Sequence, residues 1–405
     1  MSNKENEKSV TKTNYNQTKS DELSHLVYYA NSEEVNMIDS RDDENYLNYS
    51  SSYGKKQSMK GFGNYNNIVD YIVKITRQIW KEKDIGLIYD TYSHGVQVHR
   101  GLINSHGVNE VVSGALQTLQ SFPDRTGLGW SVVWSGNDED GFFTSHRGKS
   151  VGTNLGDTLY GPATGQKVMF RTTADCLIHE NKIYEEWLVM DSYHLVVQLG
   201  FDPIEIAKKT AEQTKKLAPK MQYNIGQAAE EGLQPEHYKP LYDQFEIGDF
   251  ILTLFNNVWS RKSINKVKKF YNPNAVLHYV CNRDMVGHSE IQGMFMNLFA
   301  SIPNGKIILE RVTCNKREKN IYDVAVRWRI QGMHSGIGYF GNPSGKTIEI
   351  NGINHFKVAN EQIQEEWMLF DGMEVLRQIY TEDSNNKEDE DDDTEFSDGN
   401  FTGVS

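Results

Sequence analysis

The chain has 405 residues, 38% of them hydrophobic and 11% aromatic, with a formal net charge of −13. That is enough for two ordinary domains and excludes fibrous and membrane-dominated classes. Most of the negative charge lies after Thr381, where ten acids stand against Lys387, so the remainder is only mildly acidic and carries no basic footprint for nucleic acid.

Residues 1–63 are rich in Asn, Ser, Lys and Glu and poor in aliphatics. Such a segment buries too little apolar surface to offset chain entropy, and it is expected to be disordered. The opening MSNKENEKSV has no apolar signal core, and no later run is long enough to span a bilayer. Cys176, Cys281 and Cys314 show no CxxC spacing. They fit reduced thiols, and a cytoplasmic location without a membrane partner is expected.

From 64 to 202, Ile68, Ile72, Ile75 and Ile79 make one helical face. A short helix, a strand ending at His99 and a helix over 111–122 follow. After them come only strand-like segments such as SVVW, with a turn at HENK. Over 203–240, PIEIAKKTAEQTKKLAPK places Ile204, Ala207, Ala211 and Thr214 at helical spacing before Pro219. This predicts a connecting helix and then a polar loop. From 241 to 380 the order recurs: Ile251, Leu254, Phe255 and Val258 on one helical face, a strand ending at His278, a helix over 291–302, then AVRWRI, KTIEIN and a turn at ANEQ. Residues 381–405 form the acidic tail, expected to be disordered and solvated.

The recurrence is close. KIYEEWLVMD at 182–191 returns as QIQEEWMLFD at 362–371, a displacement of 180 that holds without a gap from Tyr160 and Phe340 to Gln198 and Gln378. Upstream, Trp80 meets Trp259 and YSHGVQVH meets YNPNAVLH at a displacement of 179. A repeat this long is a complete domain with its own core, not a stacking unit. Helices followed by strands within each copy indicate an α+β fold.

With a period of two, Ile183, Glu185, Trp187, Val189 and Asp191 share a strand face, as do Ile363, Glu365, Trp367, Leu369 and Asp371. A carboxylate among apolar side chains has a raised pKa, which suits a general acid or base. The competing reading is that Asp191 and Asp371 cap the helices that follow. Asp371 with Glu374 has capping-box spacing, and backbone N–H donors would then lower the carboxyl pKa. For Glu185 and Glu365 the competing reading is a cross-strand pair with Arg or Lys.

The run GYFGNPSGKTIEINGINHFKVANEQIQEEWMLFDGMEVLRQI, preceded by RWRIQGMHSG, resembles the SnoaL-like polyketide cyclases of the nuclear transport factor two-like superfamily. The first copy resembles them through YGPATGQKVMFRTTADCLIHENKIYEEWLVMDSYHLVVQLG. The resemblance implies two tandem cones, each a curved antiparallel sheet wrapped around N-terminal helices with an apolar pocket. It also implies an Asp acid/base, matching Asp191 and Asp371, that works without metal or organic cofactor. Gly332-Met333-His334-Ser335-Gly336 matches the family's G-x-H-x-G, whereas Gly148-Lys149-Ser150-Val151-Gly152 puts Ser in place of His, with four extra residues before Tyr160.

His334 and His278 are candidates to stabilise an oxyanion beside the two Asp residues. His99, His146, Glu185, Trp187, Glu365, Trp367, Arg327 and Arg329 are candidates to line the site. No His-x-His or His-x3-His pair occurs, and no metal is expected. GIGYFG and GKT at 336–347 run into a turn and a strand rather than a helix, so neither reads as a nucleotide loop. The expected activity is cofactor-independent cyclisation of a bulky apolar carbonyl compound. Two alternatives stand beside it: a ligand-binding module in which the two cones pack as a pseudo-dimer, and an isomerase or hydrolase on the same scaffold.

Overall fold

The computed structural model describes residues 21–30, 56–101, 103–217 and 235–381. No described helix is long and apolar enough to cross a membrane. The acidic tail and the polar loop expected before residue 235 lie outside the described residues.

In the first unit, Ile68–Trp80 (α1) buries Ile68, Ile72, Ile75 and Ile79, and Asn67 caps it by accepting from the Asp70 N–H at 2.9 Å. Burial of each isoleucine contributes on the order of 2 kcal/mol. A single turn, Leu87–Thr91, leads into the hairpin Tyr92–Arg100 (β2) and Ile103–His106 (β3). Val108–Ser121 (α2) and the meander Thr126–Asn137 (β4), Gly141–Thr153 (β5), Lys167–His179 (β6), Lys182–Met190 (β7) complete the unit. Ser192–Gln198 (α3) and Pro203–Leu217 (α4) follow.

The second unit repeats this with Ile247–Leu254 (α5), continued as a π-helical segment Phe255–Ser260, then Tyr271–Tyr279 (β8), Arg283–Val286 (β9), Gly287–Ser301 (α6), Lys306–Glu318 (β10), Ile321–Met333 (β11), Thr347–Ala359 (β12), Gln362–Phe370 (β13) and Gly372–Tyr380 (α7). The hairpin tips at Glu180-Asn181 and Asn360-Glu361 have positive φ at both residues, the conformation that two-residue loops need to match strand twist.

The fold is α+β; with Val27–Tyr29 as β1, the sheets are ordered β3-β2-β7-β6-β5-β4 and β1-β10-β11-β12-β13-β8-β9. The meanders are antiparallel, but β2 joins β7 and β8 joins β13 in parallel, so neither sheet is wholly antiparallel as expected. A crossover through α2 or α6 to the far edge of the meander leaves the first hairpin running alongside the last strand.

Disorder throughout 1–63 is contradicted in two places. Val27–Tyr29 (β1) pairs in parallel with β10 of the second unit, Val27 against Val312, and Phe62 is buried edge-on against Tyr71 and Phe142. Composition averages over the segment, whereas three strand residues and one aromatic suffice to dock the described stretches 21–30 and 56–63. Helix α4 packs on α7, burying Ala207 and Ala211.

Candidate functional site in the first unit

The strand expected to carry the site contains a β-bulge. Leu177 pairs with Glu185 while Ile178 pairs with Ile183, so Tyr184 is an extra residue and the period of two slips by one. Ile183, Glu186, Leu188 and Met190 therefore face into the cone, and Glu185 and Trp187 face outward. The second unit does the same between Lys357↔Glu365 and Val358↔Ile363. The face predicted by alternation is correct only upstream of the bulge.

The outward face is where the units meet. Trp187 stacks on His99, with centroids 5.0 Å apart, and lies 3.7 Å beneath the Arg327 guanidinium of the other unit. Trp367 stacks on His278 at 5.1 Å and lies 3.5 Å beneath Arg147. His99 Nε2 sits 2.9 Å from Glu185, His278 Nδ1 sits 2.8 Å from Asp284, and Lys357 sits 3.8 Å from Glu365. Arg327 pairs with Asp175 at 3.0 Å and with Glu310 at 2.9 Å. Arg329 pairs with Glu310 at 2.7 Å and with Glu349 at 3.4 Å. Buried cross-unit bonds complete the contact: Asn315 accepts from the Trp134 N–H and donates to its carbonyl, and Ser145 Oγ meets His355 Nε2 at 2.8 Å. His99, His278, Glu185, Glu365, Trp187, Trp367, Arg327 and Arg329 thus serve the interface and its flanks rather than a cone interior.

Inside the cones the copies differ. The first encloses a cavity of about 470 Å³ between α1, α2 and the concave side of the sheet. In the second, the corresponding space holds Trp328, whose ring lies 4.8 Å from that of Trp259, and Trp259 in turn packs against Phe255 and Phe295. Register explains the difference. Gly148 pairs with Thr172 as Trp328 pairs with Gly352, so the bulky and small residues are exchanged. A Cβ on Gly352 would come within 2.2 Å of the Trp328 ring.

The same register corrects the glycine motif. Thr153 pairs with Lys167 as Met333 pairs with Thr347, so the displacement of 180 continues through the strand with no extra residues. His334 is matched by Asn154, not by Ser150. Both brace the following turn: Asn154 Oδ1 accepts from the Thr164 N–H at 2.8 Å, and His334 Nδ1 lies 3.1 Å from Ser344 Oγ. His334 is fully buried in the second unit and does not line the cavity.

Asp191 and Asp371 do cap helices. Asp371 accepts from the Met373 and Glu374 N–H groups at 3.0 and 3.2 Å, and Asp191 accepts from the His194 N–H at 3.3 Å. Each also reaches across the interface. Ser192 Oγ donates to Asp371 at 2.8 Å, and the Cys281 N–H donates to Asp191 at 2.6 Å. The capping reading forecasts lowered carboxyl pKa values, yet burial outweighs the hydrogen bonds and raises both, Asp371 to about 7. Asp371 lines the cavity of the first unit, beside Tyr160; Asp191 does not.

Two further groups face that cavity. Burial lowers His146 to about 4, which keeps it neutral. Glu186 has its pKa raised by burial, opposed by the charge of Arg100 and by Tyr92, whose Oη lies 3.4 Å away. Its counterpart Glu366 is sealed in the filled cone, accepting from Tyr271 Oη and Asn354 Nδ2 at 2.6 Å each, and burial pushes it up to about 8. Alternation missed Glu186 because the bulge is not visible in the string. The exchange at Gly148 was missed as well, because the sequence reading set Gly148 against Gly332, whereas the ladders set it against Trp328. Among the described residues no cluster of His, Cys, Asp and Glu is arranged to hold a metal ion.

Residues 250–379 match the family model for SnoaL-like polyketide cyclases. No curated protein matches the chain. Among solved structures, the chain is similar to a candidate SnoaL-like polyketide cyclase from a Jannaschia species, at 21% identity over 33% of this chain and 92% of that one, with a TM-score of 0.30. It is also similar to TsrD from Streptomyces laurentii, at 17% identity over 33% and 94% of the two chains, with a TM-score of 0.29. A Catenulispora acidiphila protein with a ketosteroid isomerase-like fold, in complex with trimethylamine, matches at 16% identity over 32% and 90%, with a TM-score of 0.26.

Proposed function

We propose that the chain is a cofactor-independent acid/base enzyme whose reaction runs in the cavity of the first unit; the match of residues 250–379 to the SnoaL-like polyketide cyclase model supports this reading. The second unit supplies the base. The observation that carries this reading is Asp371, whose carboxyl is raised to about 7 by desolvation and which lines a cavity of about 470 Å³ in the other copy. That volume suits a drug-sized ligand, and that pKa suits proton transfer at neutral pH.

The Asp371 carboxylate removes a proton from carbon next to a carbonyl. The enolate carbon bonds to a second carbonyl carbon of the same molecule, and the C=O π pair moves to oxygen. Asp371, now a carboxylic acid, returns the proton to that alkoxide, giving a ring isomer of equal mass. Neutral His146 faces the same volume and supplies an N–H to the developing oxyanion, a donor worth about 3 kcal/mol in such sites. The apolar lining from Ile72, Ile75 and Phe170 keeps competing water away. An isomerase would use the same proton transfer and stop before ring closure.

Small-molecule extract from the producing cell, incubated with wild type or Asp371→Asn, tests this by mass spectrometry. A species consumed only by wild type, yielding a product of equal mass or lighter by water, is expected. Identical extracts from two folded proteins overturn the reading and favour a binding module, in which Asp371 acts only as a helix cap and Ser192 partner. On that second reading, Asp371→Asn lowers the melting temperature and leaves retained ligands unchanged.

A further inference from the structure

The cavity wall carries two cations that the proton transfer does not use. Arg125, just before β4, is 9% exposed, with its guanidinium 3.8 Å over the Trp80 ring and 5.4 Å over Phe170. Its Nε and Nη2 both donate to Ser150 Oγ, at 3.2 and 3.0 Å, which leaves both Nη1 protons and the second Nη2 proton for a ligand. Among the described residues no carboxylate is ion-paired with it. Arg100 lines the same cavity, with its guanidinium beside Gly114, where a Cβ would lie 3.8 Å from it.

A guanidinium buried without an anion carries an uncompensated desolvation penalty, and the two cations repel. Burial and the Arg100 charge push Arg125 down to about 9. Three acids share the lining: burial raises Asp371 and Glu186, with the Arg100 charge opposing the rise at Glu186, and Asp157 is exposed; among the described residues none of the three is ion-paired with Arg125. The second unit places Tyr279, Gly305 and Ile330 where the first has Arg100, Arg125 and Ser150. The cations therefore accompany the open cone and are not a requirement of the fold.

We propose that the cavity binds an amphipathic carboxylate, its apolar body along Ile72, Ile75 and Ile79 and its carboxylate on Arg125, with Arg100 as the second cation. The planar fork of Arg125 matches a carboxylate bidentately. The proposal rests on the first unit's cavity being the ligand site, and it names the class of ligand that site takes.

Decanoate and 1-decanol, titrated calorimetrically into the full chain at pH 7, test it. Decanoate binds at least about tenfold more tightly than decanol. Arg125→Gln weakens decanoate by about tenfold or more and leaves decanol unchanged, which also shows that the cavity is intact; Arg125→Lys, keeping charge without the fork, falls between. Equal affinity for the two probes, no decanoate binding, or an Arg125→Gln chain that keeps its decanoate affinity overturns the proposal. The turnover comparison with Asp371→Asn is read separately. Arg125-dependent decanoate binding alongside unchanged extracts leaves the carboxylate site standing and removes only the acid/base reading.

Discussion

Two acids with raised pKa values separate function from packing at the level of single residues. Desolvation raises the Asp371 carboxyl to about 7, so turnover that depends on its carboxylate is expected to rise with pH through a limb centred near 7. Asp371→Asn removes both the limb and the rate, and a pH–rate profile checks this. Glu366, raised to about 8 in a dry core, gives a stability effect instead. Its folded pKa lies above its unfolded value, so the folded state binds more protons between about pH 4.5 and 8, and stability falls as pH rises through that window. Gln reproduces the protonated form, with Oε1 accepting from Asn354 and Nε2 donating to Tyr271. Glu366→Gln is therefore expected to flatten the decline in urea midpoint from pH 5 to 8 and to be the more stable chain at pH 8. A parallel decline in both chains would show that Glu366 is ionised throughout.

The elements show how far local pattern reaches. The amphipathic spacing of α1 and α5, the hairpin tips and the Asp caps are set by neighbours within four residues, and all were legible in the string. The bulge at Tyr184 was not. It is stabilised by the mismatch of β7 against β6 and β2, whose ladders shift at the same point, and it moves Glu185 out of the cone and Glu186 in. Strand β1 was equally hidden, because its three residues acquire a partner only when β10 exists. The Val312 N–H donates to Leu26 and the Ala30 N–H to Cys314, while Tyr29 Oη donates to Glu246 at 2.6 Å. Removing residues 1–30 leaves the β10 edge unpaired. Faster hydrogen exchange at Val312 and a melting temperature lower by a few degrees are expected; unchanged protection there would show that β1 does not dock in solution.

At the scale of the whole molecule, the two units differ. The first cone holds a cavity with charged groups on a mostly apolar wall; the second has Trp328 in the corresponding place and contributes Asp371 to its neighbour's lining. Gly148→Trp with Thr172→Gly transfers to the first cone the exchange that fills the second. This double variant is expected to stay folded by circular dichroism while turnover and decanoate binding are lost. Retention of both would place the site outside the first cone.

Two copies, an α+β order, the helix faces, the caps and the hairpin turns were determined by the sequence alone, because each depends on residues adjacent in the chain or repeated at a fixed displacement. Which cone is open, which acid faces it and why eight candidate residues serve an interface were decided by tertiary structure. A bulge, an exchange of Gly for Trp across a ladder and a pair of sheets packed outer face to outer face are relations between distant segments, and their energies exist only once those segments meet.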